Sequence, residues 1–100
     1  MIKHVIFLKF FEIADGNNKA QNLLHASEML NNLKEEIPVV RTLSVGINQI
    51  ESARAFDMCL IVEFDDWKSL DEYSNHPAHL KAVEYMNKVR EISHSCDYEF

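Results

Sequence analysis

Histidine, tyrosine and aspartate are the side chains in this sequence best suited to moving protons. His4 lies in a run of alternating apolar residues, Tyr73 closes a short helical stretch, and His79 follows the Pro77 that opens a longer one. An imidazole titrates close to neutral pH, so it can take a proton and return it. A phenol can donate a hydrogen bond to an oxygen on which negative charge develops. The elements predicted below place all three around one cleft between a sheet and its helices, a common position for a small ligand. The same residues also have structural uses. His76 and His79 bracket a helix start, where either ring can satisfy backbone groups, and a strand histidine such as His4 can be hydrogen-bonded in the core.

Other chemistries find less support. His76 and His79 stand three apart with Glu72 one turn earlier, but Pro77 breaks the regular spacing and no third ligand is evident, so no metal is expected. No glycine-rich phosphate loop or Gly-x-Ser-x-Gly elbow occurs. No cofactor is called for, because proton transfer beside a carbonyl needs only a base and a donor. Cys59 and Cys96 have no basic neighbour in sequence that would activate a thiolate. Ten Lys and Arg against 16 Asp and Glu give a net charge of −6, and the basic residues are scattered. That excludes a phosphate-backbone footprint, so nucleic acid is not an expected partner. The run Val5-Ile6-Phe7-Leu8 is too short for a membrane span or a signal segment. The chain is therefore expected to be cytoplasmic, with its cysteines reduced.

The elements that must position these residues are legible from periodicity. One hundred residues, with 47% hydrophobic and only 2 Gly and 2 Pro, specify a single folded domain over 1–100. Residues 2–10 alternate as a strand, with Ile2, His4, Ile6, Leu8 and Phe10 on one face and Lys3, Val5, Phe7 and Lys9 on the other. Asp15-Gly16-Asn17-Asn18 is a turn rich in helix-capping residues. From Lys19 to Glu36, Ala20, Leu23, Leu24, Leu30, Leu33 and then Ile37 recur at helical steps, and Pro38 ends the helix. A second strand is expected over about Arg41–Ile50, with Gly46 inside it, and a third over Phe56–Asp65. Asp65-Asp66 caps a short helix over Trp67–Tyr73, with Trp67 and Leu70 stapling it to the core. Pro77 opens a helix reaching about Ser93, and Cys96–Phe100 forms the last strand.

The order β-α-β-β-α-β is that of the ferredoxin-like α+β fold, one antiparallel sheet with its helices on one face. The helices cover only one side. Val5, Phe7, Leu43 or its neighbours, Cys59 and Ile61 then leave the other side partly apolar, the mark of an interface. A second sheet laid on it face to face predicts a homodimer. Cys59 and Cys96 fall on strands flanking the first, roughly 9–10 Å apart, too far for a disulfide within the chain.

The sequence also resembles a known family. Residues 2–10, Ile-Lys-His-Val-Ile-Phe-Leu-Lys-Phe, resemble the opening strand of the stress-responsive dimeric α/β-barrel (Dabb) family. Leu70-Asp71-Glu72-Tyr73 and His76-Pro77-Ala78-His79 resemble its most recognisable motif. Ile37-Pro38, Val45-Gly46, Glu63-Phe64 and Cys96-Asp97-Tyr98 fall where that family has similar residues. The resemblance spans essentially the whole chain and implies a ferredoxin-like protomer that dimerises sheet to sheet into a barrel. Members include plant stress-induced proteins and a plant polyketide cyclase. In the cyclase-like members the positions matching His79, Tyr73 and His4 belong to the active site, and the one matching Asp97 supports the histidine. Carried across, His79 is the general base and Asp97 fixes its tautomer. Tyr73 then donates to a developing enolate and His4 holds the substrate's oxygens. Ile6, Leu8 and Leu24 are expected to supply the apolar lining for substrate. Lys81, Ala82, Val83 and Val89 depart from the bulky aromatic lining of those members.

Two readings of function follow. One is a small-molecule protein that binds, and converts by cofactor-free acid–base chemistry, an aromatic or polyketide-like carbonyl compound. The other is a stress-associated dimer whose histidines are structural.

Overall fold

The alternation of residues 2–10 folds as the central strand β1 (Ile2–Phe10), and the remaining large strands assemble beside it. A computed structural model describes all residues, Met1–Phe100. After β1 come a small hairpin, β2 (Ile13–Ala14) and β3 (Asn17–Asn18), and helix α1 (Lys19–Glu36). Then follow β4 (Thr42–Ile47), β5 (Met58–Phe64), α2 (Trp67–Asn75), α3 (Pro77–Val89) and β6 (Arg90–Glu99). The main sheet has the order β4-β5-β1-β6, antiparallel throughout, which is the ferredoxin-like arrangement.

Local chemistry sets the ends of these elements. Asp15 and Gly16 both adopt positive φ (51° and 78°), as a two-residue hairpin turn requires, and so fold β3 back on β2. Asn18 then caps α1. Its side chain accepts from the Gln21 backbone N–H at 2.8 Å while Gln21 accepts from the Asn18 N–H at 2.9 Å. Ile37 turns to extended backbone before Pro38 and ends α1. Asp66 caps α2, and His76 caps α3 by accepting from the Ala78 N–H at 3.1 Å. Pro77 sits in the first turn of α3, where its missing N–H costs nothing.

The core lies between the sheet and the helices. Ile2, Leu8 and Phe10 of β1 and Met58, Leu60, Val62 and Phe64 of β5 meet Leu30 and Leu33 of α1, Tyr73 of α2, and Ala82, Met86 and Val89 of α3. The opposite face of the sheet has no helix over it. Phe7 pairs with Cys59 on β5 and His94 on β6, and Val5 with Ile61 and Cys96, so these residues share that face.

Four expectations need correction. Leu24 does not line a cleft; it is 60% exposed. The buried stripe of α1 runs through Asn22, Ala26, Leu30 and Leu33, and at about 100° per residue Leu24 stands some 200° from both Asn22 and Ala26. Leu43 lies opposite Val62 on the helix-covered face, and its neighbours Thr42 and Ser44 occupy the open one. Trp67 is half-exposed, so Leu70 packs against the core without it. The last helix ends at Val89, and β6 begins at Arg90 because β1 needs a partner along its whole length.

Candidate functional site

Three elements converge at one end of the core. Tyr73 is the last-turn residue of α2 that faces the sheet, His79 lies in the first turn of α3, and His4 projects from β1 toward both. The ring of Tyr73 lies 4.5 Å from that of His79, 5.1 Å from Phe64 and 6.2 Å from His4, centroid to centroid. These are packing distances for tilted and edge-on aromatic pairs. Beside them opens a cavity of about 60 Å³ lined by Ile6, Leu8, Leu30, Leu60, Tyr73, His79, Ala82, Val83, Met86, Arg90 and Ser93. Most of these residues are buried or half-buried; Arg90 and the exposed Ser93 form the mouth.

Each polar group has a definable state. The Nδ1 of His79 lies 3.0 Å from the Ser74 carbonyl oxygen. A carbonyl only accepts, so Nδ1 carries the proton and Nε2 keeps its lone pair. Burial holds His79 below the ordinary histidine range. The Ser74 carbonyl opposes that shift, and the neighbouring His4 adds to it. At neutral pH His79 is therefore a neutral imidazole with an unprotonated Nε2. Burial also pushes the Tyr73 phenol up to about 12, so it remains a donor. Its hydroxyl is fully buried and has no hydrogen-bond partner in the protein. Leaving such a group unpaired costs about 1–3 kcal/mol. The Nδ1 of His4 pairs with Asp97 Oδ1, which stands directly opposite it on β6.

The expected set thus meets in part. His4, Tyr73 and His79 come together, with Ile6 and Leu8 on the cavity wall. Asp97 orients His4, not His79, because the β1–β6 register puts it across from His4; the Ser74 carbonyl fixes the tautomer of His79 instead. Periodicity gave no sign of Ser74, whose backbone does the work. Ser93 and Arg90 were hidden by the helix extended to Ser93. The alternating polar residues Ser93, Ser95, Asp97 and Glu99 were the available signal for a longer strand.

His76 and His79 each commit Nδ1 to a different backbone group, and no three His, Cys, Asp or Glu side chains converge as metal ligands. Cys59 and Cys96 are free thiols, and burial pushes the Cys59 thiol up, away from a reactive thiolate. No helix is long and apolar enough to cross a membrane.

The sequence pattern of the Stress Responsive A/B Barrel Domain (Dabb) matches residues 2–100. The chain belongs to this family. Among solved structures, it is similar to a dimeric protein of unknown function and ferredoxin-like fold from Bacteroides fragilis. The two share 25% identity and a TM-score of 0.83 over 99% of this chain and 95% of that one. A dimeric ferredoxin-like protein of unknown function from Thermobifida fusca aligns with a TM-score of 0.84 at 16% identity, over 99% and 90% of the two chains. The hydroxynitrile lyase of Passiflora edulis aligns with a TM-score of 0.80 at 13% identity, over 97% and 90%. A search of curated proteins finds no significant match to this sequence.

Proposed function

We propose that this Dabb protein is a homodimer whose cavity binds a small carbonyl compound and moves a proton at the carbon next to the carbonyl, without a cofactor. The observation that carries the reading is the partnerless hydroxyl of Tyr73, buried beside the unprotonated Nε2 of His79. A fold that buries a donor without a partner, beside a half-buried histidine whose Nε2 makes no hydrogen bond within the protein, leaves a gap in its hydrogen bonding that a ligand oxygen would fill. Purely structural histidines supply no reason to bury that hydroxyl.

In the proposed step the ligand's carbonyl oxygen accepts from Tyr73 O–H. His79 Nε2 takes the adjacent C–H proton, the C–H electron pair becomes the C=C bond, and the carbonyl π pair moves onto oxygen. The Ser74 carbonyl steadies the imidazolium through Nδ1–H. His4, held by Asp97, does not line the cavity; it packs against Tyr73, so its part is to position the phenol and not to hold the ligand's oxygens. Reprotonation by His79 at the same or another carbon regenerates the base. At about 60 Å³ the cavity takes a few heavy atoms. It therefore suits the reacting end of an aromatic or polyketide-like ligand, with the remainder lying past Arg90 and Ser93. A lyase on the same fold is consistent with acid–base chemistry here but carries none of the argument.

The homodimer rests on the uncovered sheet face, where Phe7 (44% exposed), Ile92 and Ile61 form an apolar surface, and on the dimeric state of the similar structures. The test of the site is a thermal-shift panel of small phenolic, quinone and β-diketone compounds on wild type and His79→Ala in parallel. Stabilisation of wild type alone supports it. Equal or absent shifts across the panel overturn it.

A further inference from the structure

We infer that the ligand carries a carboxylate and that Arg90 reads it; this rests on the cavity being the ligand site proposed above. Leu8 stands opposite Ser93 and Lys9 opposite Ile92, so a regular ladder would set Glu91 against Phe10 on the helix-covered face. The strand instead bulges between Lys9 and Phe10, and Arg90 takes that place. One extra residue thus exchanges an anion for a cation at the cavity mouth, the kind of re-aiming for which bulges are used near sites.

The charge of Arg90 is not neutralised there. Its guanidinium donates to Asn87 Oδ1, a neutral group one helical turn back, and no carboxylate comes within ion-pair distance of it. By contrast Arg41 holds Asp65 through two parallel bonds at 2.7 and 2.8 Å. What sets Arg90 apart from the other basic residues without an acidic partner is its place: it is the one Lys or Arg that lines the mostly apolar cavity. A guanidinium has five donors in a planar fork that matches a carboxylate, so most of its capacity stays open for a ligand. The ligand class is then a small oxo acid, with its carbonyl at Tyr73, its acidic C–H at His79 and its carboxylate at the mouth.

The experiment titrates 2-oxobutanoate and 4-oxopentanoate, each against its methyl ester, into ¹⁵N-labelled wild type, Arg90→Gln and Arg90→Lys, with amide shifts as the readout. The expected result is that wild type binds at least one acid more tightly than its ester by about tenfold or more. Arg90→Gln brings acid and ester level, and Arg90→Lys keeps part of the preference. Acid and ester binding equally to wild type, with shifts at the cavity, overturns the inference and leaves the site standing. So does an acid preference that survives Arg90→Gln. If neither acid nor ester binds, this inference falls together with the reading of the cavity.

Discussion

A buried hydroxyl with no partner makes Tyr73 a less stable choice than phenylalanine at its position. Phenylalanine would fill the same space against Phe64 and His79 without the unpaired group. Tyr73→Phe is therefore expected to raise stability by about 1 kcal/mol, or about 4 °C in melting temperature, while the ligand response is lost. Paired melting curves with and without ligand check both halves. His79 gives a pH signature. Burial holds its folded value below the ordinary 6.5, so on acidification the unfolded chain takes up the proton first. The contribution of neutral His79 is full above about pH 6.5 and is lost as pH falls from there toward the folded value. Denaturant unfolding of wild type and His79→Gln between pH 7.5 and 5 should show the steeper decline in wild type. That His4, Tyr73 and His79 lie close together was legible in the sequence, from the alternation of β1 and from the cap and the proline that open α2 and α3. The partner of His79 was not, since a backbone carbonyl leaves no trace in residue type.

Elements place these groups through a few polar anchors that periodicity alone does not reveal. Asn22 is one. It is buried in the apolar stripe of α1, donates to the Ala14 carbonyl at 3.0 Å, and accepts from Tyr85 Oη of α3 at 3.0 Å. It joins the hairpin to both long helices, and reading the stripe by hydrophobicity put Leu24 in the role of an inward residue. Asn22→Ala leaves the half-buried Ala14 carbonyl and Tyr85 hydroxyl each short of a partner, so a loss of about 1 kcal/mol is expected from urea titration. The boundary between α3 and β6 failed to show for a related reason. Val89, Arg90 and Ile92 fit the end of a helix as well as the start of a strand, and only the full length of β1 decides between them.

The molecule as a whole presents one covered and one open sheet face. That asymmetry was legible, because a β-α-β-β-α-β chain has helices for one side only and Val5, Phe7 and Ile61 fall on the other. If that face joins two copies, a charge at its centre must be desolvated without a counter-ion. Phe7→Glu and Ile61→Lys are each expected to halve the mass seen by light scattering, from twice the 11.6 kDa chain to the single chain. Wild type at 11.6 kDa and micromolar concentration would contradict the dimer. The placement of Arg90 at the cavity was not legible, since it depends on a one-residue bulge that no local pattern marks.

Deuterium uptake reads the proposed proton transfer directly. A series of small ketones, oxo acids and 1,3-diketones in D₂O, followed by ¹H NMR, reports exchange at the carbon beside the carbonyl. Wild type is expected to speed exchange of at least one member beyond buffer, and His79→Ala and Tyr73→Phe are each expected to remove the acceleration. A series in which wild type exchanges no faster than His79→Ala would contradict the proposed transfer.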